Sequence, residues 1–334
     1  MTRRQAALLI SVSLLGLFSS SALAASETAR VHAMWVWKTD DILLDAAGRD
    51  AFLKEAKALG LTEVYLFLRA SDYIQKEVPL GKLLAAMHGI GVRAWGLEGW
   101  RGYFSDVEGP AGLYAAADAM VAYNQRNSIP FVGFQSDMEP QDGQGVGQNL
   151  FANGVPQSRL SSDQLAARDR ILTEWLEIHA ALLKKTREAG VAYGSAIPSW
   201  VDEYMGEPLQ ATFSGVRKPL IEHLMPLVSQ YVIMSYSTKP SNVIKKIAGE
   251  LQRADLVGSR RIVFGLETHA GAGMNISYAD TPDKKQRAAV LADLKLIEEH
   301  VISHPSYLGW ALHDWAGWSI LPKRSSSAAI RLSP

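Results

Sequence analysis

The sequence predicts an α/β fold, a single-domain (β/α)8 TIM barrel, and three observations carry that reading. Eight short runs rich in Val, Ile, Tyr and Phe recur along the chain, stretches of helical period separate them, and no linker divides the chain into two cores. The 334 residues accommodate one barrel of about 250 residues with insertions. In order, the strand candidates are VHAMWVW from Val31, TEVYLFL from Thr62, VRAWGLE from Val92, FVGFQSDME from Phe131, VAYGSAI from Val191, YVIMSYS from Tyr231, RIVFGLE from Arg261 and YLGWALH from Tyr307. Every gap but the last is expected to hold a helical segment. The clearest runs from Ser161 to Gly190, where Ser161 and Gln164 have capping-box spacing and Gly190 suits a left-handed C-terminal cap. Its Leu165, Ile171, Leu172, Trp175, Ile178, Leu182 and Leu183 recur at helical spacing, so this helix is expected to bury one face.

Ahead of the first strand, Arg3 and Arg4 precede the apolar run AALLISVSLLGLF, and Ala22 and Ala24 stand before a cleavage point at Ala25. This is the layout of a secretory signal peptide over residues 1–24. The barrel is then expected over 25–322, followed by a disordered Ser-rich tail, 323–334. No later segment has the roughly 18 successive apolar residues of a transmembrane helix. The mature chain therefore reads as periplasmic or secreted, with no membrane span. Its 34 basic and 34 acidic residues balance, so neither nucleic acid nor an anionic membrane surface is an expected partner. With no cysteine, disulfides, thiolate metal ligands and a lipidated Cys are all excluded, and stability must come from the core.

Chemistry in such a barrel sits where strands end and βα loops begin. Candidates at strand ends are Glu98 on the third strand, Asp137 and Glu139 on the fourth, Tyr236 on the sixth, Glu267 and His269 on the seventh, and His313 and Asp314 on the eighth. The alternation of side chains along a strand puts Gln135, Asp137 and Glu139 on one face and turns Phe134, Ser136 and Met138 toward the helices. Burying two carboxylates costs several kcal/mol each unless they are paired or hydrogen-bonded. A close like-charge pair raises the pKa of one member, which is what a general acid at neutral pH requires. The alternative reading of Glu139 is a structural ion pair with a nearby base.

The stretch FVGFQSDMEP resembles the fourth-strand signature of family 18 glycoside hydrolases, the chitinase type, written D-G-x-D-x-D-x-E. Gly133, Phe134, Asp137 and Glu139 match it, while Val132 and Gln135 stand at its first two aspartates. AYGSAIPSW looks like the fifth-strand A-x-P segment, IMSYS like M-x-Y-D on the sixth with Ser237 at the aspartate, and RIVFGLETHAG like the seventh-strand G-x-P-x-Y-G. The resemblance implies Glu139 as the acid that protonates the leaving oxygen, Asp137 as its partner and orienter of a substrate acetamido group, and Tyr236 as a donor to that group. MEP and GLET also resemble the acid and nucleophile positions of retaining barrel glycosidases, which would make Glu267 the nucleophile. The attacking group is thus either the substrate's own acetamido oxygen or Glu267.

Nine tryptophans are many for this length. Most are expected in the core, while Trp100, Trp200 and Trp315 are candidate platforms for sugar rings. Gln135, His269, His313, Asp314 and Glu98 complete the expected substrate contacts. Asp137, Glu139, His269, His313 and Asp314 have no H-x-H or H-E-x-x-H spacing, so a metal-dependent hydrolase ranks below the glycosidase, and no metal or cofactor is expected. The sequence thus points to an exported glycoside hydrolase acting on a carbohydrate polymer or oligosaccharide. A barrel that binds a glycan without cleaving it is the competing class.

Overall fold

The computed structural model describes residues 30–99, 103, 109–142, 155–258 and 261–323. Eight parallel strands close into a barrel: β1 (Val31–Val36), β2 (Glu63–Phe67), β3 (Arg93–Gly99), β4 (Gly133–Asp137), β5 (Ala192–Pro198), β6 (Gln230–Met234), β7 (Ile262–Glu267) and β8 (Tyr307–His313). Each strand pairs with its neighbours in sequence, and β8 closes on β1 through Val31 opposite Gly309 and Met34 opposite Leu312. All eight sequence-predicted strands are present. The segment expected to be a signal peptide, Trp100 and the tail beyond Lys323 lie outside the described residues.

The helices that cover the barrel include α1 (Ala46–Leu59), α2 (Glu77–Gly89), α3 (Ala111–Arg126), α4 (Ser162–Glu188), α5 (Pro240–Leu256), α6 (Arg287–Val301) and the short α7 (Trp315–Ile320). In α4 the Ser161 hydroxyl accepts the Gln164 N–H at 3.3 Å and the Gln164 side chain accepts the Ser161 N–H at 2.9 Å. Gly190 follows its C-terminus at φ +68°. Such a cap is worth about 1 kcal/mol.

Two gaps differ from expectation. The last gap, read as lacking a helix, contains α6, whose buried Val290, Leu294, Ile297 and Val301 form a helical stripe. Between β5 and β6, helix is limited to Leu220–Leu224, and two small hairpins occupy much of the rest, pairing Glu203–Tyr204 with Glu207–Pro208 and Gln210–Phe213 with Val216–Pro219. Met205-Gly206 and Ser214-Gly215 carry positive φ at both turn positions, which is the two-residue connection that matches strand twist.

Two hydrophobic clusters divide the interior. The larger lies between strands and helices, and a second fills the lumen with Trp35, Tyr65, Trp95, Leu97, Val232 and Val263 among others. Large rings fit there because small residues face them. A Cβ at Gly133 would stand 2.1 Å from the Trp95 ring, so only glycine lets β4 pass that indole. At the N-terminal end of the lumen, Glu63 accepts from Arg93 and from the Gln230 amide at 2.6 Å, and Tyr65 donates to Gln230 at 2.8 Å. Higher up, Trp35 donates to Gln135 at 2.7 Å.

Candidate active site

The strand register brings the sequence-predicted residues of β4, β7 and β8 to the C-terminal end of the barrel. On β4, Gln135 turns inward to Trp35, while Phe134 and Met138 join the outer cluster and Ser136 bonds to the outward Tyr193 at 2.7 Å. That is the alternation the sequence predicted, and it directs Asp137 and Glu139 with Gln135. Both are half-buried. The chain turns at once into a 3-10 segment, Pro140–Asp142, and this lets the Gln141 amide donate to Glu139.

Glu267 ends β7 opposite His313, which ends β8. The Glu267 carboxylate, only 4% exposed, accepts from His313 Nδ1 at 2.9 Å and from the His269 backbone N–H at 2.6 Å. On its other side, His313 Nε2 lies 2.7 Å from the Trp37 indole N–H. An indole N–H only donates, so this contact requires a lone pair on Nε2 and puts the ring proton on Nδ1, facing Glu267. Burial disfavours the imidazolium. The hydrogen bond and charge of Glu267, followed by the charges of Asp314 and Asp137, outweigh burial and raise the His313 pKa. Protonation would therefore strengthen the pairing with Glu267 and end the bond from Trp37.

A second imidazole–carboxylate pair adjoins the first. His269 Nδ1 donates to Asp314 at 3.1 Å, and the same carboxylate caps α7 by accepting the Gly317 N–H at 2.9 Å. Tyr236, just beyond β6, marks the centre of this region, with its ring 5.7 Å from that of His313. Its phenol is held well above its ordinary pKa by burial and then by the charges of Glu267, Asp137, Glu139 and Asp314. The charges of four carboxylates from three strand ends thus all disfavour ionisation of this one hydroxyl.

Other expected residues stand elsewhere. Glu98 faces away from the lumen, because Trp95 and Leu97 of β3 take the inward positions. It lines a second cavity of about 550 Å³ with Phe67, Arg69 and Tyr103. Burial pushes its carboxyl up to about 7, against the opposing effects of the Tyr103 hydroxyl at 3.4 Å and the Arg69 charge. Trp315, expected as a sugar platform, is instead the first residue of α7 and packs edge-on to Phe52 of α1 at 5.1 Å in the outer cluster. Trp200 packs edge-on to Tyr204 at 5.9 Å, beside the same cluster.

The sequence reading missed Trp37 as a site residue. This half-buried indole sits 5.4 Å from the Phe67 ring, and a Cβ on Gly99 would approach it to 2.7 Å, so β3 ends in glycine where Trp37 crosses it. Its position two residues after the inward Trp35 was the available signal. Gln141 was also missed, since a loop amide two residues past a carboxylate carries no periodicity. Among the described residues, no group of three or more His, Asp and Glu is arranged to hold a metal ion.

No family model matches the chain, and no curated protein matches it by sequence. Solved structures do resemble it. The exo-β-1,4-mannosidase from Opitutaceae bacterium strain TAV5 aligns at 11% identity and a TM-score of 0.52 over 85% of this chain and 51% of that one. The endo-β-1,4-mannanase from Thermotoga petrophila aligns at 11% identity and a TM-score of 0.50 over 86% and 68%. The chitinase from Chromobacterium violaceum ATCC 12472 aligns at 11% identity and 0.47 over 88% and 98%. The chain spans about half the length of the mannosidase. The first two likenesses are of fold: the protein has a TIM barrel, the architecture that the fourth-strand resemblance implied.

Proposed function

We propose that this protein is a glycoside hydrolase acting on a polysaccharide or oligosaccharide, with Glu139 as general acid and Asp137 as its coupled partner. The observation that carries the reading is the placement of Asp137 and Glu139 on β4, Glu267 on β7 and Asp314 just after β8 at the end of the barrel where βα loops begin, with Tyr236 5.7 Å from the His313 ring that bonds to Glu267. Cleaving a glycosidic bond requires a proton donor to the leaving oxygen and negative charge near an oxocarbenium-like centre. Clustered carboxylates supply both. Trp37 and Phe67 add an aromatic wall at the same end.

Glu267 is engaged by His313 and by a backbone N–H, which favours a positioning role for it and the substrate's acetamido oxygen as nucleophile. Gln135 already receives Trp35 at a signature aspartate position, which favours the glycan-binding alternative. The export expected from residues 1–24 is part of this proposal, and cell fractionation tests it.

The deciding experiment is reducing-end release from acetylated amino-sugar polymers and neutral polysaccharides, comparing the protein with Glu139→Gln. Cleavage that disappears in the variant supports the hydrolase, and confinement to acetylated polymers supports the acetamido nucleophile. Glycan binding by both proteins with cleavage by neither would replace the hydrolase with a binding barrel.

A further inference from the structure

A cavity of about 620 Å³ has Tyr236 in its wall, and the Tyr236 ring stands 5.7 Å from that of His313, the partner of Glu267. The start of α5 contributes Asn242, Lys245 and Lys246, and the loop after β7 contributes Asn275. Tyr236 therefore links this cavity to the His313–Glu267 pair at the barrel end.

Lys246 distinguishes the cavity chemically. Its half-buried ammonium donates to the Tyr236 carbonyl at 2.8 Å, and it has no ion pair with a carboxylate among the described residues. Burial, with no compensating charge, lowers its pKa. An ammonium has three N–H donors, and one neutral acceptor leaves two for whatever occupies the cavity. A partly desolvated cation with so little compensation is better held once an anion arrives. Asp202 and Glu203 line the side shared with a neighbouring cavity. Burial raises the Asp202 pKa against its backbone hydrogen bonds, and the charge of Glu203 adds to the rise.

We propose that this cavity is a subsite for a carboxylate-bearing sugar unit, with Lys246 pairing to the carboxylate and Lys245 adding positive charge at the rim. The assignment rests on the glycosidase reading of the barrel-end carboxylates. Four carboxylates repel an anion at the reacting centre, so the negative group belongs on the next unit of the glycan while an uncharged unit occupies the lumen. The carboxylate is either that of a uronic acid ring or that of a lactyl ether on an amino sugar, and the ligand panel separates the two.

The test is calorimetric binding at low salt to the Glu139→Gln protein, so that no ligand is consumed. Probes are uronate oligosaccharides, glycan fragments carrying lactyl ethers, and uncharged chitin and mannan oligosaccharides. One acidic class is expected to bind at least tenfold more tightly than the uncharged ligands, and this preference should vanish when Lys246→Met is added, return with Lys246→Arg, and fall at high salt. Thermal melts check that both variants fold. Equal binding of acidic and uncharged ligands, a preference that survives Lys246→Met, or no acidic ligand bound by the folded protein would each overturn the proposal. Charge-selective binding without hydrolysis by the parent protein would refute the hydrolase and leave the subsite standing. Hydrolysis without charge preference would do the reverse.

Discussion

At the N-terminal end of the lumen, Glu63 meets the Arg93 guanidinium and the Gln230 amide, whereas at the C-terminal end Glu267 and Asp314 meet imidazoles and Glu139 meets the Gln141 amide. Arginine keeps its charge at any physiological pH, so the lower pairing can change charge only at Glu63, whose pKa burial raises against the Gln230 and Arg93 bonds. His313 changes charge above its ordinary pKa, so its pairing with Glu267 can gain or lose a proton. One lumen thus carries a structural charge pair at one end and groups suited to proton transfer at the other.

The largest effect that could break this comparison is expected from Glu139→Gln. Hydrolysis should fall by about 10²–10⁴-fold, while stability changes by less than about 1 kcal/mol because the group is half-buried at a strand end. Reducing-sugar assays and urea denaturation read the two quantities separately, and a large stability loss would move Glu139 into the structural class.

Glu98 extends the contrast outside the lumen, since its hydrogen-bond partner is a phenol. Its carboxyl rises from the ordinary 4.5 to about 7. As pH climbs through that window the unfolded chain loses this proton before the folded one does. The folded state then binds more protons, and stability falls with rising pH, by about 3 kcal/mol in all. Glu98→Gln should flatten the decline between pH 4.5 and 7 in denaturation curves, and an unchanged slope would refute the assignment.

Arg93→Met tests the Glu63 end. Removing one partner of a buried ion pair costs about 3–5 kcal/mol, but the Arg93 side chain is 48% exposed, so solvent screening reduces the expected loss to about 2 kcal/mol. Glycan binding at the other end should not change. The smallest effect belongs to His313, whose imidazole should titrate above the ordinary 6.5 in an NMR titration. The raised folded pKa contributes stability that is complete below the unfolded value and is lost as pH rises through the folded one. A midpoint at or below 6.5 would mean that burial and the Trp37 bond prevail over the carboxylates.

The strands were legible because a buried parallel strand needs an apolar, β-branched and aromatic run, and each is flanked by helical period or turn residues. Alternation on β4 likewise gave the facing of Gln135 and Asp137. The same rule applied to β3 would have turned Glu98 outward, since Trp95 and Leu97 claim the lumen. The α6 stripe escaped notice because the preceding loop, from Thr268 to Gln286, is long and polar. Trp315 was misplaced because an aromatic just past a strand has the same sequence signature whether it faces a ligand or, as here, a helix. The two imidazole–carboxylate pairs join residues 45 and 46 positions apart in the chain, and no local pattern encodes such partners.

The bond from Trp37 to His313, continued to Glu267, ties the first strand to the last two across the seam where the barrel closes. A chain made from its N-terminus presents Trp37 after the first barrel strand and His313 only with the eighth. No partly synthesised or C-terminally truncated barrel can complete this chain of hydrogen bonds. Assembly order thereby delays the finished site until the whole barrel is present.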